Sequence, residues 1–382
     1  SPLYRTYERT YQHMKIICNK SALLTGVNTV LKAVPARTTM PILECILIDT
    51  TSGVIKLTAN DMDLGIETTV DGDVLDKGCI ALEAKLFSEI IRKLPDSEVT
   101  IETDSNNKAL IKCEKAKFNI AGKDGEDFVA LPEIEKNHFI TLSQFSLKEI
   151  IRQTIFSIAD NESNRMMSGE LLQIDQDQLR LVSLDGQRIS IRKISLKESY
   201  DPIKAVIPGK TLNEISKILS GDMDDDVRIY FTDRHVLFEF DQTVVVSRLL
   251  EGEYFQIDKM ISSDYNTKIT INKKELQGCI ERASLLIRES ERKPIIINVT
   301  DGSMEMKIQS AMGSMNEDID ISKEGRDIMI GFNPKFILDA LRVIDDEEVT
   351  LYLMNAKAPC FIKDETESYI YLILPVNFNA NV

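Results

Sequence analysis

Three stretches decide the fold: Lys15-Ile-Ile-Cys-Asn-Lys-Ser-Ala-Leu23, Ile140-Thr-Leu-Ser-Gln-Phe-Ser-Leu147 and Ile269-Thr-Ile-Asn-Lys-Lys-Glu-Leu276. Each alternates like a strand and then turns helical. Aligning Leu23, Leu147 and Leu276 gives spacings of 124 and 129 residues. A second unit follows in each case. Ile80-Ala-Leu-Glu-Ala-Lys-Leu-Phe87, Ala205-Val-Ile-Pro-Gly-Lys-Thr-Leu212 and Ile328-Met-Ile-Gly-Phe-Asn-Pro-Lys-Phe336 align at spacings of 125 and 124. Each runs into an amphipathic helix, an acidic turn and a further strand such as Val99-Thr-Ile. Two matched units in the same order at near-constant spacing mark an internal repeat.

The repeat predicts an α+β fold of three domains, 14–137, 138–265 and 266–382, each with two helices on antiparallel sheets. Turn signals such as Ser52-Gly53, Asp71-Gly72 and Asp301-Gly302 punctuate the strands. Ser1 to His13 is polar and aromatic, and reads as a cloning remnant or a disordered extension ahead of the strand at Met14. The six cysteines form no CxxC pair and read as reduced core residues of a cytoplasmic protein. No run approaches the ~20 apolar residues of a membrane span.

An enzyme needs a site, and none is written here. The sequence has no GxGxxG, Walker, GxSxG or HExxH pattern, and its three histidines are scattered. Asp222-Met-Asp-Asp-Asp226 lacks the glycine and terminal Glu of a calcium loop and reads as a solvated turn. Asn60-Asp-Met-Asp63 offers two carboxylates without a companion base; a turn with Asx hydrogen bonds is the safer reading. No catalytic residue, metal or cofactor is expected. The competing readings are an interaction scaffold that encircles nothing, or an enzyme working through Asp61 and Asp63.

The net charge of −15 argues against nucleic acid until its distribution is examined. The six predicted helical segments, with their polar ends, carry +9, which leaves −24 for the sheets and loops. Helices gathered on one face would make that face positive. Helices side by side sit about 9 Å apart, so six in a circle leave no useful hole, while twelve leave a bore of about 23 Å. A B-form duplex is roughly 20 Å wide. Two chains head to tail could surround it.

Local motifs point to one family. Arg37-Thr-Thr-Met-Pro-Ile-Leu43 resembles an R-x-T-x-P-I-L segment, and Leu57-Thr-Ala-Asn-Asp-Met-Asp63 an L-x-[AG]-[TN]-D-x-[DE] turn. Leu181-Val-Ser-Leu-Asp-Gly-Gln-Arg188 resembles T-D-G-[HY]-R, Gly252-Glu-Tyr-Phe255 resembles G-x-[FY]-P, and Tyr371-Leu-Ile-Leu-Pro-Val376 resembles Y-x-[IV]-M-P. Over Met14–Pro375 the chain resembles the bacterial DNA polymerase III β subunit, the sliding clamp.

The resemblance implies a ring of two chains that encircles duplex DNA without sequence preference. It implies a processivity factor without chemistry of its own, in the cytoplasm at the nucleoid. The partners implied are the replicative polymerase, the clamp loader and other proteins carrying a clamp-binding motif. It implies a peptide pocket between domains two and three. Met167, Leu184, Gly186, Arg188 and Ile189 come from the second domain. Phe255, Lys259 and Met260 follow on the connection, and Leu372, Leu374, Pro375 and Val376 close the pocket. Apolar walls would bury a partner's Leu or Phe, and Arg188 would fix its orientation.

Arg37, Asn161, Arg165 and Met166 match the family's DNA contacts. Helix position adds Lys20, Lys32, Arg92, Lys93, Lys148 and Arg152, together with Arg282, Arg288 and Arg342. At the dimer edges, Phe118 and Ile120 of one chain would meet Leu285 and Leu286 of the other. Three positions depart from the pattern: Gln187 replaces His or Tyr, Phe255 replaces Pro, and Lys259 replaces a frequent Arg.

Overall fold

The computed structural model describes residues 13–159 and 164–379. Six α-helices stand where the repeat predicts them: α1 Lys20–Leu31, α2 Ala84–Lys93, α3 Gln144–Arg152, α4 Gly209–Ile218, α5 Lys273–Ser284 and α6 Pro334–Leu341. They pair α1 with α2, α3 with α4 and α5 with α6. Each buries an apolar stripe, such as Leu23, Val27 and Val30 in α1 or Leu276, Cys279, Ile280 and Ala283 in α5. Asn272 and Asn333 cap α5 and α6 by accepting from the Glu275 and Lys335 amides at 3.0 Å.

The first helix of each repeat is tied to the end of the second by one residue. Lys20 Nζ donates to the Arg92 carbonyl at 3.0 Å, and Lys273 Nζ donates to the Ile344 carbonyl at 2.6 Å. A cation there satisfies an orphan carbonyl and complements the helix dipole. In the middle repeat the same position is Gln144, fully buried, whose Oε1 accepts from the Ser220 amide at 2.9 Å.

The chain divides into two units: Ser1–Thr141 with Asp224–Leu249, and Leu142–Met223 with Leu250–Val382. The middle repeat is shared between them. In the first unit, Leu64–Val70 of repeat one pairs antiparallel with Thr243–Arg248 of repeat two, inside a nine-stranded sheet. In the second unit, Arg188–Pro208 of repeat two pairs with Tyr369–Ile373 of repeat three, inside a seven-stranded sheet. We call these two junctions the first and second seams. The remaining sheets are smaller. A five-stranded one in the first unit has Ala116–Ala121 at one edge, and a four-stranded one in the second unit has Gly313–Asp320 at one edge.

The cysteines are all free, and five of the six are buried, Cys79 being half-buried. Residues 1–12 of the expected extension, and the last three residues, lie outside the described residues. No helix among the described residues is long and apolar enough to cross a membrane.

Candidate functional site

The second seam gathers most of the expected pocket. Gly169–Leu184 and Arg188–Pro208 are joined by a tight turn in which Asp185 Oδ1 accepts from the Gln187 and Arg188 amides at 3.0 and 3.1 Å. Gly186 sits in that turn at φ +88°, a conformation that costs glycine nothing. The turn is held from outside by the Leu374 amide, which donates to the Gln187 carbonyl at 2.9 Å. Met167 enters from a short 3₁₀ turn, Arg165–Ser168, whose start is capped by Asn164 accepting from the Met166 amide at 3.1 Å.

These elements put Leu184, Ile189 and Leu372 into one buried apolar cluster with Tyr254 and Ile257, against which Met167 and Phe255 are half-buried. Leu374 and Met260 are exposed, Pro375 and Val376 half-buried, and Lys259 and Gly186 open to solvent. A buried floor with adaptable Met and Leu at its rim suits the capture of a partner's apolar side chains. Phe255, standing where the motif has Pro, packs its ring edge-on to Tyr254 at 5.4 Å.

Arg188 differs from expectation. Its residue is only 6% exposed, and its guanidinium is committed within the chain. Nε donates to Asp185 Oδ2 at 3.0 Å, Nη1 to Asp339 Oδ2 at 2.7 Å and Nη2 to the Phe156 carbonyl at 2.8 Å. The Phe336 ring lies 4.4 Å from its charged carbon. A cation buried this deeply keeps such partners because removal from water is otherwise too costly. Arg188 therefore ties the turn to α6 from behind the pocket and does not present its charge to an occupant.

Sequence reasoning overlooked Glu170. It stands on Gly169–Leu184, fully buried, and neither carboxyl oxygen has a hydrogen-bond partner among the described residues. Burial pushes its pKa up to about 8. The neighbouring Thr154 hydroxyl acts in the opposite direction, but it is turned to the Ile150 carbonyl at 2.7 Å. The signal was present in the strand, where Glu170 shares the inward phase of Leu172 and Ile174.

The basic residues separate into two groups. Lys20 is a helix brace, Arg152 pairs with Glu149 at 2.8 Å, Arg282 with Glu317 at 2.8 Å, and Arg342 lies 3.9 Å from Glu281. Arg37, Arg92, Lys93, Arg165 and Arg288 are exposed and form no ion pair among the described residues; Lys32 and Lys148 are half-buried and likewise unpaired. Charge on the helices is smaller than the sequence segments implied. Helices α1, α3, α4 and α5 carry +1 each, α2 carries +2 and α6 none, in all +6. The difference lies in residues beyond the helix ends, among them Arg37, Arg165 and Arg342.

Met166 is also corrected. It is 9% exposed and belongs to the apolar cluster behind the pocket, so its side chain does not stand out toward a duplex. Asn161 lies outside the described residues.

Three family models match in tandem: the N-terminal, central and C-terminal domains of the DNA polymerase III beta subunit, over residues 14–132, 141–256 and 258–377. The chain belongs to the DNA polymerase III beta subunit family. The beta sliding clamp of Bacillus subtilis is 36% identical over 376 residues, covering 95% of this chain and 99% of that protein. A crystal structure described as a DNA polymerase III beta subunit from Eubacterium rectale is 65% identical, covers 96% of this chain and all of that one, and superposes with a TM-score of 0.94. The B. subtilis sliding clamp structure superposes at 0.93 with 35% identity, covering 96% of this chain and all of that one.

The beta subunit is a processivity factor and has no chemistry of its own. The local geometry at Asp61 agrees: its Oδ1 accepts from the Asp63 and Leu64 amides at 2.9 and 2.6 Å, the expected Asx turn and not a free base. Among the described residues no group of three or more His, Cys, Asp or Glu side chains could hold a metal ion.

Proposed function

We propose that this beta subunit encircles duplex DNA as a head-to-tail pair of chains and tethers its partners through the second-seam pocket. The observation that carries this reading is the match of the whole three-repeat fold to sliding clamp structures, at TM-scores of 0.93 and above. Domain boundaries near 14–137, 138–265 and 266–382 follow from the repeat spacing. The pocket is Met167, Leu184, Ile189, Phe255 and Leu372 at its floor and wall, with Met260, Leu374, Pro375 and Val376 at its rim. Gly186 and Lys259 border it, and Arg188 holds its turn.

The two outer sheet edges support closure into a ring. Ala116–Ala121 carries Phe118 and Ile120, and Leu285, 75% exposed, stands at the end of α5. Leu286 Cδ2 lies against Gly313, the first residue of the other outer strand. An exposed strand edge with apolar side chains is a template for pairing with another chain. Phe118 and Ile120 of one protomer would meet Leu285 and Leu286 of its partner. Arg37 and Arg165 would face phosphates, contacts that permit sliding because they carry no sequence information. The clamp loader and other motif-bearing proteins would share the pocket, in the cytoplasm at the nucleoid.

Loading onto closed circular DNA tests this directly. The protein should be retained on the circle, be lost when the circle is linearised, and run in solution at the mass of two chains. Equal retention on both forms would sink topological binding. Met167→Ala and Leu374→Ala should each weaken a short peptide with Leu and Phe anchors by tenfold or more; unchanged affinity would remove the pocket assignment.

A further inference from the structure

The two seams share one backbone and differ in side chains. Asp61 and Asp185 are 124 residues apart and open equivalent turns. Met62 takes φ +78° where Gly186 takes +88°. Ser247 pairs with Leu64 as Ile373 pairs with Arg188. The Arg248 amide donates to the Asp63 carbonyl at 2.9 Å, as the Leu374 amide does to the Gln187 carbonyl. This correspondence matches the apolar residues of the second seam one by one to residues of the first. Leu184 becomes Asn60, Ile189 becomes Gly65, Leu372 becomes Val246, and Leu374 becomes Arg248.

A cavity of about 230 Å³ lies at the first seam, wholly within the first unit. Asn60, Met62, Asp63, His235, Val246 and Arg248 line it, with Gly65, Ala130 and Pro132 completing the wall, so one carboxylate shares the cavity with the guanidinium. It is smaller than a drug-sized pocket and fits one or two side chains of an extended segment. Met62 is 40% exposed although its backbone is in a region that disfavours side chains, so the turn holds an apolar group in the open at some strain.

Charge selects the occupant. The Arg248 side chain is 60% exposed, and its ion-pair partner Asp63 stands 3.9 Å away, the far limit of such a contact, and is itself exposed. Arg234 and Arg248 both act on His235, which burial and these cations hold below the usual imidazole range. The groove thus offers a guanidinium whose one carboxylate neighbour, Asp63, is distant and turned to solvent, beside an imidazole whose charged form is disfavoured and small apolar walls. A carboxylate on an extended chain complements that set.

We propose that the first seam is a second docking groove, taking an acidic extended segment of a partner protein with its carboxylate on Arg248 and a small apolar side chain against Val246 and Pro132. The peptide class rests on the reading of the second seam as a peptide pocket; the site and its preference for acid rest on the first seam alone.

Methionine methyl labelling of the full-length chain reports both seams at once, Met62 for the first and Met167 and Met260 for the second. The probe is the pentapeptide acetyl-Glu-Val-Asp-Ala-Leu, with its Gln/Asn twin as control and a Leu/Phe-anchored peptide as the second-seam arm. The acidic peptide should shift the Met62 methyl and leave Met167 and Met260 in place. The neutral twin should bind at least tenfold more weakly, and Arg248→Glu should abolish the Met62 response while the Leu/Phe peptide still shifts Met167. No Met62 shift at millimolar peptide, an equal response to the neutral twin, or acidic-peptide shifts at Met167 would each overturn the proposal. Failure of the Leu/Phe arm alone would count against the second-seam reading and not against the first groove.

Discussion

The Arg188 guanidinium and the Asp339 carboxylate are 2.7 Å apart and nearly out of water, joining a turn of the second repeat to α6 of the third. Removing one member of a buried pair leaves the other uncompensated, at a cost of about 3–5 kcal/mol. Arg188→Met and Asp339→Ala should each lower the free energy of unfolding by an amount in that range, read as a fall in the denaturant midpoint at unchanged slope. The double variant should cost less than the two single losses added together. Strict additivity would show that the pair is not coupled.

Glu170 gives a pH dependence whose sign runs opposite to that of an ordinary salt-bridged acid. Its carboxyl shifts from an ordinary 4.5 up to about 8 in the folded chain. Between those values the folded state binds the proton and the unfolded state does not, so stability falls as pH rises. The contribution is fully present below about pH 4.5 and is lost by about pH 8. Glu170→Gln should melt higher than the parent at pH 8 and show little advantage at pH 5. A parent whose melting temperature rises between pH 5 and 8, with no difference between the two chains, would contradict the buried proton.

Lys273 donates to the Ile344 carbonyl, just past the end of α6, at 2.6 Å. Charge-assisted hydrogen bonds contribute about 1.5–3 kcal/mol net, and Lys273 is half-exposed, so Lys273→Met should cost about 1.5 kcal/mol. Lys273→Gln tests whether the shorter amide that serves the middle repeat can serve here. Urea unfolding of the three chains decides the order.

Arg37 and Arg165 are exposed and unpaired among the described residues. Each phosphate contact adds about 0.9 to the slope of log affinity against log salt. Arg37→Ala and Arg165→Ala should each flatten that slope by about one, equally on unrelated DNA sequences. A loss confined to one sequence would point to base contacts instead.

The spacings of Leu23, Leu147 and Leu276 and of Phe87, Leu212 and Phe336 were together enough to place six helices, because amphipathic helices announce their buried face locally. The pocket floor was legible for the same reason: Leu184, Ile189 and Leu372 are apolar at strand phase. What sequence could not show was long-range. Nothing local says that Thr243–Arg248 pairs with repeat one while Arg188–Pro208 pairs with repeat three. Nor could the sequence assign a cation to solvent or to a neighbour. Arg188 and Arg37 look alike until Asp339, Asp185 and Phe336 are seen to surround one and not the other. Met166 and Met167 are adjacent, yet only one is buried in the cluster, a difference set by the 3₁₀ turn.

The sharing of the middle repeat between two sheets has a consequence for partial chains. A truncation that ends after repeat one would leave Leu64–Val70 without Thr243–Arg248 beside it. One that stops after repeat two would strip Tyr369–Ile373 from Arg188–Pro208. Either product would display an orphaned strand flank, the geometry that seeds intermolecular sheet growth. Ribosomal release of incomplete copies would then favour insoluble deposits over soluble single domains, so the full-length chain is the smallest piece that conceals all of its own adhesive backbone at the seams.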